Sequence, residues 1–246
     1  MKMQTMKQRA NRVGAALVLS SASWVAQAQS AGDNVLSLGW IHIMPQNRSS
    51  PSILESVAGK PQNMVLAGTG SAVQNGDTGG INLAHFFTDN FSIESVGGIP
   101  SPLKTKGEGK LAPFGVIGQA TPMAPTLFAR YHFWDSKVSL RPYLGMGINY
   151  TRFVHSKLTN NAFVESVGGP GSSGTLSVSS SWNPAFLAGL NYALDSHWSL
   201  GLSLSYIPLK ETATTTVTTA NKVVIVTTGD DKIRPISTYL NLAYCF

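Results

Sequence analysis

The closing stretch of the chain, residues 236–246, reads ISTYLNLAYCF. Counting back from Phe246 to Leu240, every second side chain is large and apolar or aromatic, and the alternate positions of the stretch are small or polar except Tyr239. A period of two predicts a β-strand whose two faces meet different surroundings. A strand of a soluble sandwich also alternates, but an apolar face that ends in an aromatic residue favours the closing strand of a transmembrane barrel.

The first 28 residues have the features of an export signal. Residues 1–12 carry four basic side chains and no acid, and an apolar run over residues 13–25 follows. Ala26-Gln27-Ala28 then provides the small residues of a cleavage site. We expect a signal peptide at residues 1–28, removed after Ala28, which leaves residues 29–246 as one outer-membrane barrel domain. A retained helical anchor is the alternative, although the run is shorter than an ordinary spanning helix.

The net charge of the chain bears on which classes of partner it could bind. All 12 acidic residues lie beyond residue 28, whereas four of the 18 basic residues leave with the signal, so the formal charge falls from +6 to +2. A charge so close to neutral does not indicate nucleic-acid binding. Charged residues are 12% of the chain, about half the usual share, and no apolar run of helix-spanning length follows the signal. This composition favours a membrane β-barrel.

Three pairs of alternating stretches are joined by very short polar turns. The pairs cover residues 81–98, 126–153 and 183–210, with turns at residues 88–90, 135–137 and 195–197. With residues 34–44 at the start and the closing stretch at the end, the pattern predicts an all-β protein, an eight-stranded antiparallel transmembrane β-barrel. Short turns on the periplasmic side and long loops outside are typical of outer-membrane barrels.

Four longer connections join these pairs. We expect polar loops at residues 46–80, 100–125 and 154–181, and a Thr-rich hairpin end at residues 211–231. Several strands exceed the roughly 10 residues that a membrane requires. The barrel should therefore project outward beyond the membrane.

Five stretches resemble the OmpW/AlkL family of small outer-membrane β-barrel proteins. They are LAHFFTDNFSIESVGGIP (83–100), APTLFARYHF (124–133), LRPYLGMGINYTRF (140–153), SWNPAFLAGLNYALDSHWSL (181–200) and YIPLK (206–210). The resemblance implies a bacterial outer-membrane protein with an apolar channel that passes small hydrophobic molecules inward, with lateral exit into the membrane. The closing strand is also similar to those of outer-membrane proteins in which a final Phe, here Phe246, is read by the barrel-assembly machinery.

The same resemblance implies an apolar constriction at Val96 and Trp182. Val96 lies two residues beyond Glu94 and shares its parity, so its side chain should point inward. Valine is smaller than the leucine that the family pattern suggests, which would widen the constriction. Trp182 has the opposite parity to the inward residues of its strand, and a bulge near Pro184 would be needed to turn it inward.

Three charged residues have inward parity near the periplasmic ends of their strands: Glu94, Arg130 and Arg141. In a narrow barrel we expect them to pair, because an unpaired buried charge is unfavourable. Two interpretations remain open for this lumen charge cluster. It is either a core ion network that closes the lower half of the barrel or a gate or relay.

The second long connection carries Lys104, Lys106 and Lys110. Lysine binds phosphate as a point charge, so these residues are candidates to contact lipopolysaccharide, and a solvated loop is the alternative. The five histidines have no metal-like spacing. We expect no metal and no cofactor.

The sequence leaves three functions open. The first is a passive barrel that binds and passes apolar solutes, with outer-membrane lipids around it. The second is a structural or adhesive surface barrel whose long loops bind a partner. The third is an outer-membrane enzyme, which would require a Ser, a His and an acid converging at one rim, and no such set can be assembled from the sequence.

Overall fold

Eight antiparallel strands close into a barrel, which confirms the predicted fold class. The computed structural model describes residues 29–46 and 48–246, so the predicted signal peptide lies outside the described residues. The barrel strands are β1 (Asn34–Met44), β2 (Gly76–Thr88), β3 (Phe91–Gly98), β4 (Thr126–His132), β5 (Leu140–Leu158), β6 (Ser181–Ala193), β7 (Trp198–Tyr206) and β8 (Ile236–Cys245). Each strand pairs with its neighbours in the chain, and β8 pairs with β1 to close the ring.

The connections at one end of the barrel are short: residues 89–90, 133–139 and 194–197. In the last of them the carboxylate of Asp195 accepts hydrogen bonds from the backbone N–H groups of His197 at 2.8 Å and Trp198 at 2.7 Å. These two bonds close the turn and hold the pKa of the Asp195 carboxyl below its usual range. Asn90 donates to the carbonyl of His132 at 2.7 Å, which ties the first turn to the second.

The connections at the other end are folded, which corrects the expectation of plain polar loops at residues 46–80, 100–125 and 154–181, whereas the hairpin expected at residues 211–231 is present. They contain short strands at Arg48–Ser49, Ile53–Val57, Lys60–Val65, Thr69–Val73, Leu103–Gly109, Val116–Met123, Ser173–Val178, Leu209–Thr218 and Val224–Ile233, a 3-10 turn at Ala112–Phe114 and one helix, α1, at Asn161–Gly168. The physical reason is local, because runs such as ILESV, TTTV and VIVTT are rich in β-branched residues. We call these elements together the outer rim.

The outer rim has an apolar core of its own. The side chain of Asn160 caps α1 by accepting a hydrogen bond from the N–H of Phe163 at 3.0 Å. Phe163 and Val164 are buried in one cluster with Ile117. Strand β5, at 19 residues, pairs with β4 near the turns and with Val116–Met123 in the rim. The outward projection predicted from the long strands is thereby confirmed.

Side chains alternate between the outside and the inside of the barrel, as the closing stretch predicts. On β8, Leu240 and Leu242 are 49% and 43% exposed, whereas Asn241 and Ala243 are 7% and 4% exposed. Tyr239, the exception in the sequence pattern, is buried inside. Within residues 29–46 and 48–246, no helix is long and apolar enough to cross a membrane.

Aromatic residues lie at both ends of the lipid-facing surface. Near the short turns the rings of Trp198 and Tyr244 meet edge to face at 4.9 Å. Near the rim the rings of Tyr150 and Trp182 lie 4.8 Å apart. On β6, Trp182 lies at one end of this surface and Tyr192 at the other. Because barrel strands are tilted, the length of strand between them spans about 25 Å along the barrel axis, which is the height of an outer-membrane apolar band.

Replacing Leu240 with arginine is expected to lower the free energy of unfolding by about 2–4 kcal/mol. The residue lies midway between Ile236 and Tyr244 on β8, and its side chain faces lipid. Leu240→Met is the matched control, because it changes shape without adding charge and should cost less than about 1.5 kcal/mol. Urea titrations of both variants in lipid vesicles measure the difference. Equal losses would place Leu240 outside the apolar band.

Candidate functional site

Two adjoining cavities occupy the outer half of the barrel interior. The outer cavity, of about 200 Å³, lies within the rim and is lined in part by Phe153 and Leu158. The inner cavity, of about 130 Å³, lies below it among Val96, Phe128 and Leu187. The two cavities share a boundary lined by Ile43, Leu103, Pro122, Ala124, Ile207 and Ser237. Mainly apolar space, divided into two adjoining cavities, therefore extends from the rim to the middle of the barrel.

The wall of this path has a break between β3 and β4. The last pair of these strands is Val96 opposite Thr126, and the next pairing above it joins Leu103 to Ala120 in the rim. Between these two pairs, within the described residues, no strand pairing or backbone hydrogen bond joins residues 97–102 to residues 121–125. We call this break the window.

Each side of the window is held by the strand behind it. On one side, the N–H of Ile99 donates to the carbonyl of Gly79 at 2.8 Å, and the hydroxyl of Thr78 donates to the carbonyl of Ile99 at 2.5 Å. On the other side, Val116–Met123 pairs with β5. The window is therefore a fixed feature of the wall.

Proline explains why the two sides do not pair with each other. Pro100 and Pro102 lie on one side, and Pro122 and Pro125 lie on the other. Proline has no N–H to donate to a neighbouring strand, so it interrupts a ladder of hydrogen bonds. The sequence contained this signal, but the pattern of alternating residues did not reveal that the two segments face each other.

The window lies at the level of the outer aromatic residues. The N–H of Tyr150 donates to the carbonyl of Pro125 at 3.1 Å, and Tyr150 packs against Trp182. Aromatic side chains of this kind mark the interface between the apolar membrane interior and its polar surface. The break in strand pairing therefore lies at the level of this interface.

Trp182 does not line the interior, which corrects its expected place in the constriction. Its side chain is 70% exposed on the outer face. The register runs without a bulge from Tyr150 opposite Trp182 to Ile148 opposite Pro184. Pro184 requires no bulge, because β7 ends at Tyr206 opposite Phe186, so β7 does not reach it.

Val96 lies at the junction of the inner cavity and the window. It points inward, lines the inner cavity and packs against the buried cluster around Phe128, Tyr143 and Leu187. Its backbone forms the lower lip of the window through the pair with Thr126. Val96 therefore lies between the inner cavity and the window.

The floor of the inner cavity is a buried ion pair. The Nη1 atom of Arg130 lies 2.5 Å from Oε2 of Glu94, and the Asn82 amide donates to the other carboxylate oxygen. Arg130 also donates from Nε to the hydroxyl of Ser92 at 3.3 Å and lies over the ring of Tyr143 at 4.9 Å. Each charge thus has several partners, an arrangement that fits a core ion network.

Packed side chains fill the barrel below the ion pair. Phe86, Ser92 and His132 are fully buried. The ring of His132 lies 4.7 Å from that of Phe86 and 5.2 Å from that of Tyr143. We call these four residues the lower plug. These buried, contacting side chains fill the barrel interior at this level.

Arg141 does not join Glu94 and Arg130, so the expected three-residue cluster is corrected to a pair. Its guanidinium donates to the carbonyl of Gln29 at 3.0 Å and to the carbonyl of Asp89 at 2.5 Å. The reason is its position at the start of β5, beside the turns. Tyr143, the next inward residue of β5, takes the place beside Arg130. Arg141 instead lies at the end of the barrel that carries the short turns.

The lower plug contains a serine and a histidine in contact, which raises the question of catalysis. The hydroxyl of Ser92 lies 3.0 Å from Nε2 of His132. Within the described residues Nδ1 of His132 has no hydrogen-bond partner, so no acid orients the ring. Both residues are sealed from solvent. This pair lacks the third member and the access that nucleophilic catalysis requires.

The lysines lie on the outer rim. Lys104 and Lys106 share one face of the strand Leu103–Gly109, and Lys110 follows it. All three side chains are exposed. In the described part of the chain, no cluster of His, Cys, Asp or Glu is arranged to hold a metal ion.

Comparison with known proteins places this barrel in a family. The model of the OmpW family matches residues 30–246. The chain belongs to the OmpW family. Outer membrane protein W of Vibrio cholerae is 32% identical over 214 residues, which cover 85% of this chain and 88% of that protein. Outer membrane protein AlkL of Ectopseudomonas oleovorans is 27% identical over 146 residues, 59% of this chain and 58% of AlkL.

The fold of this OmpW-family barrel is also shared with a solved structure. The outer membrane protein OprG from Pseudomonas aeruginosa superposes with a TM-score of 0.75 at 24% identity, covering 89% of this chain and 98% of OprG. The family and the closed barrel, with aromatic residues at both ends of its lipid-facing surface, together place the protein in the bacterial outer membrane, surrounded by its lipids.

Proposed function

We propose that this OmpW-family barrel is a passive channel for small hydrophobic molecules. The observation that carries the proposal is the pair of adjoining apolar cavities that begin in the outer rim, reach the window and end above the Glu94–Arg130 pair. A solute from outside has mainly apolar contacts down to the window. Beyond that point it meets charges and the lower plug.

The energetic advantage of such a path is specific to apolar solutes. The outer leaflet of lipopolysaccharide is a polar barrier, and an apolar molecule crossing it loses its favourable surroundings. Each methylene group that leaves water for an apolar cavity gains about 0.8 kcal/mol. The channel supplies these contacts continuously, so no energy source and no chemical change are required.

Exit is lateral, through the window into the membrane. Both sides of the window carry exposed apolar side chains, Ile99 at 66% exposure and Met123 at 46%. The Glu94–Arg130 pair opposes axial exit, because an apolar molecule would have to separate or desolvate the charges. At the window, the same molecule enters the apolar interior of the membrane instead.

Two further contacts belong to this proposal. Lys104, Lys106 and Lys110 would bind lipopolysaccharide phosphates, supported by their exposure on the outer rim. The closing strand would be read by the barrel-assembly machinery through Phe246, which is 66% exposed and packs edge to face against Tyr244. No catalytic step is part of the mechanism.

Reconstituted vesicles with lipopolysaccharide in the outer leaflet test this function. We expect the protein to speed the transfer of hexane from the outside into the bilayer and to admit no sugar of similar size to the vesicle interior. Gly98→Trp should slow the transfer, because Gly98 lines the inner cavity beside the window. Ser95→Trp, on the lipid-facing side of β3, is the control.

The outcomes separate the candidate functions. Entry of the sugar would indicate an open axial pore, and conversion of the solute would indicate an enzyme. No acceleration of hexane transfer would contradict the channel and favour a structural or adhesive barrel. Equal slowing by Gly98→Trp and Ser95→Trp would contradict the lateral exit.

A further inference from the structure

We infer that the inner cavity selects amphiphiles, molecules with an apolar body and one hydrogen-bonding end group such as an alcohol, ketone or ester. The inference rests on the proposed function and concerns the same cavity. It assigns a site for the end group to the wall formed by β7 and β8. The apolar body lies toward the window.

The wall formed by β7 and β8 carries four hydroxyl groups in two neighbouring rows. Ser203 lies opposite Tyr239, and Ser205 lies opposite Ser237 in the register of the two strands. All four residues line the inner cavity. They form one hydroxyl cluster, because residues directly opposite each other on one face of a sheet are close neighbours.

Two members of the hydroxyl cluster are already hydrogen-bonded to other groups of the protein. Ser203 is hydrogen-bonded to the Tyr143 hydroxyl. Tyr239 donates to the carbonyl of Ser37 at 3.4 Å, a long bond. Ser203 is therefore held against Tyr143 of the lower plug, and Tyr239 is held against the backbone of β1.

The other two members remain available to a solute. Within the described part of the chain, the hydroxyls of Ser205 and Ser237 have no hydrogen-bond partner. A hydroxyl that faces an apolar cavity without a partner is unfavourable. A solute that brings one donor or acceptor to this position satisfies it, whereas an alkane does not.

The opposite wall is apolar and leads to the window. In the closed order of strands, three steps lead from β3 through β2 and β1 to β8, and three steps lead from β4 through β5 and β6 to β7. The β7–β8 pair is therefore directly across the lumen from the β3–β4 pair, where the window lies. Val96 and Phe128 line the cavity on that side.

This geometry orients a solute with two unlike ends. The polar end is held at Ser205 and Ser237, and the apolar end points across the cavity past Val96 to the window. The molecule then leaves with its apolar end first, which enters lipid without desolvating a polar group. The hydroxyl cluster thus acts on specificity and on orientation, and it requires no movement of the wall.

The experiment compares two probes, hexanol and hexane, with purified protein in lipid nanodiscs. Apparent dissociation constants come from the backbone amide chemical shifts of cavity residues during titration. The double variant Ser205→Ala/Ser237→Ala is expected to bind hexanol about fivefold to tenfold more weakly, the value of one hydrogen bond. Its affinity for hexane should stay unchanged. Ser205→Thr/Ser237→Thr keeps both hydroxyls and should retain hexanol binding.

Each result decides the inference. Equal loss for both probes would mean that the substitutions only reshape the cavity, and an unchanged affinity for hexanol would mean that the hydroxyls hold water alone; either overturns it. Because binding is measured without transport, a failure of the proposed channel in vesicles remains a separate result. Ser95→Ala, on the lipid face, controls for effects of losing any serine hydroxyl.

Discussion

Replacing Val96 with tryptophan is expected to reduce the uptake of an apolar solute by about tenfold or more. Val96 faces the inner cavity of about 130 Å³ and forms the lower lip of the window. An indole at this position occupies the space that a solute crosses between the inner cavity and the window. Forcing a solute past the added indole would require the packed side chains around it to move, at a cost of about 1–3 kcal/mol. The solute therefore rarely reaches the window.

The control for this variant is Ile93→Trp on the same strand. Ile93 has the opposite parity and faces lipid, so the same indole there leaves the cavity unchanged. Uptake of hexane is measured in cells that express each variant at matched outer-membrane levels. Normal uptake by Val96→Trp would show that solute does not pass this level, and the channel would have to be abandoned.

The barrel itself could be predicted from the sequence because its signal is local. Alternation on β8 distinguishes Leu240 from Asn241 without any knowledge of the partner strands. The short turns are equally local, since Asp195 closes its turn with its own neighbours His197 and Trp198. These features fixed the number of strands and which residues face lipid.

Apart from the hairpin expected at residues 211–231, the outer rim could not be predicted, because its strands are short and lie in Gly- and Ser-rich connections. The hairpin of Ile53–Val57 and Lys60–Val65 turns at Ala58 and Gly59, both with positive φ. Such a turn is compatible with a loop as much as with a hairpin. Only pairing with the distant strand Val224–Ile233 reveals the sheet. Pairings between separate connections are outside what a local pattern contains.

The candidate site was predicted in part, for a similar reason. Parity placed Val96, Glu94 and Arg130 inside the barrel, and the structure brings the last two into contact. Trp182 was misplaced because the family position was preferred to the parity of its own strand. The window is defined by pairs that do not form, and alternation cannot show a missing pair.

Replacing Arg130 with methionine is expected to lower the free energy of unfolding by about 3–5 kcal/mol, because it leaves Glu94 buried without its counter-charge. Glu94 is 2% exposed, and its charged partner in the structure is Arg130. Methionine keeps much of the arginine stem, so packing over Tyr143 is largely retained. The loss therefore reports the unpaired charge more than a cavity.

A double-mutant cycle separates the pair from its surroundings. Glu94→Gln/Arg130→Met removes both charges together, and it should recover at least about 1 kcal/mol relative to the sum of the two single variants. Urea titrations in lipid vesicles give the four free energies of unfolding. Strict additivity would mean that the two charges are solvated independently, and the buried ion pair could not then be the floor that turns solutes toward the window.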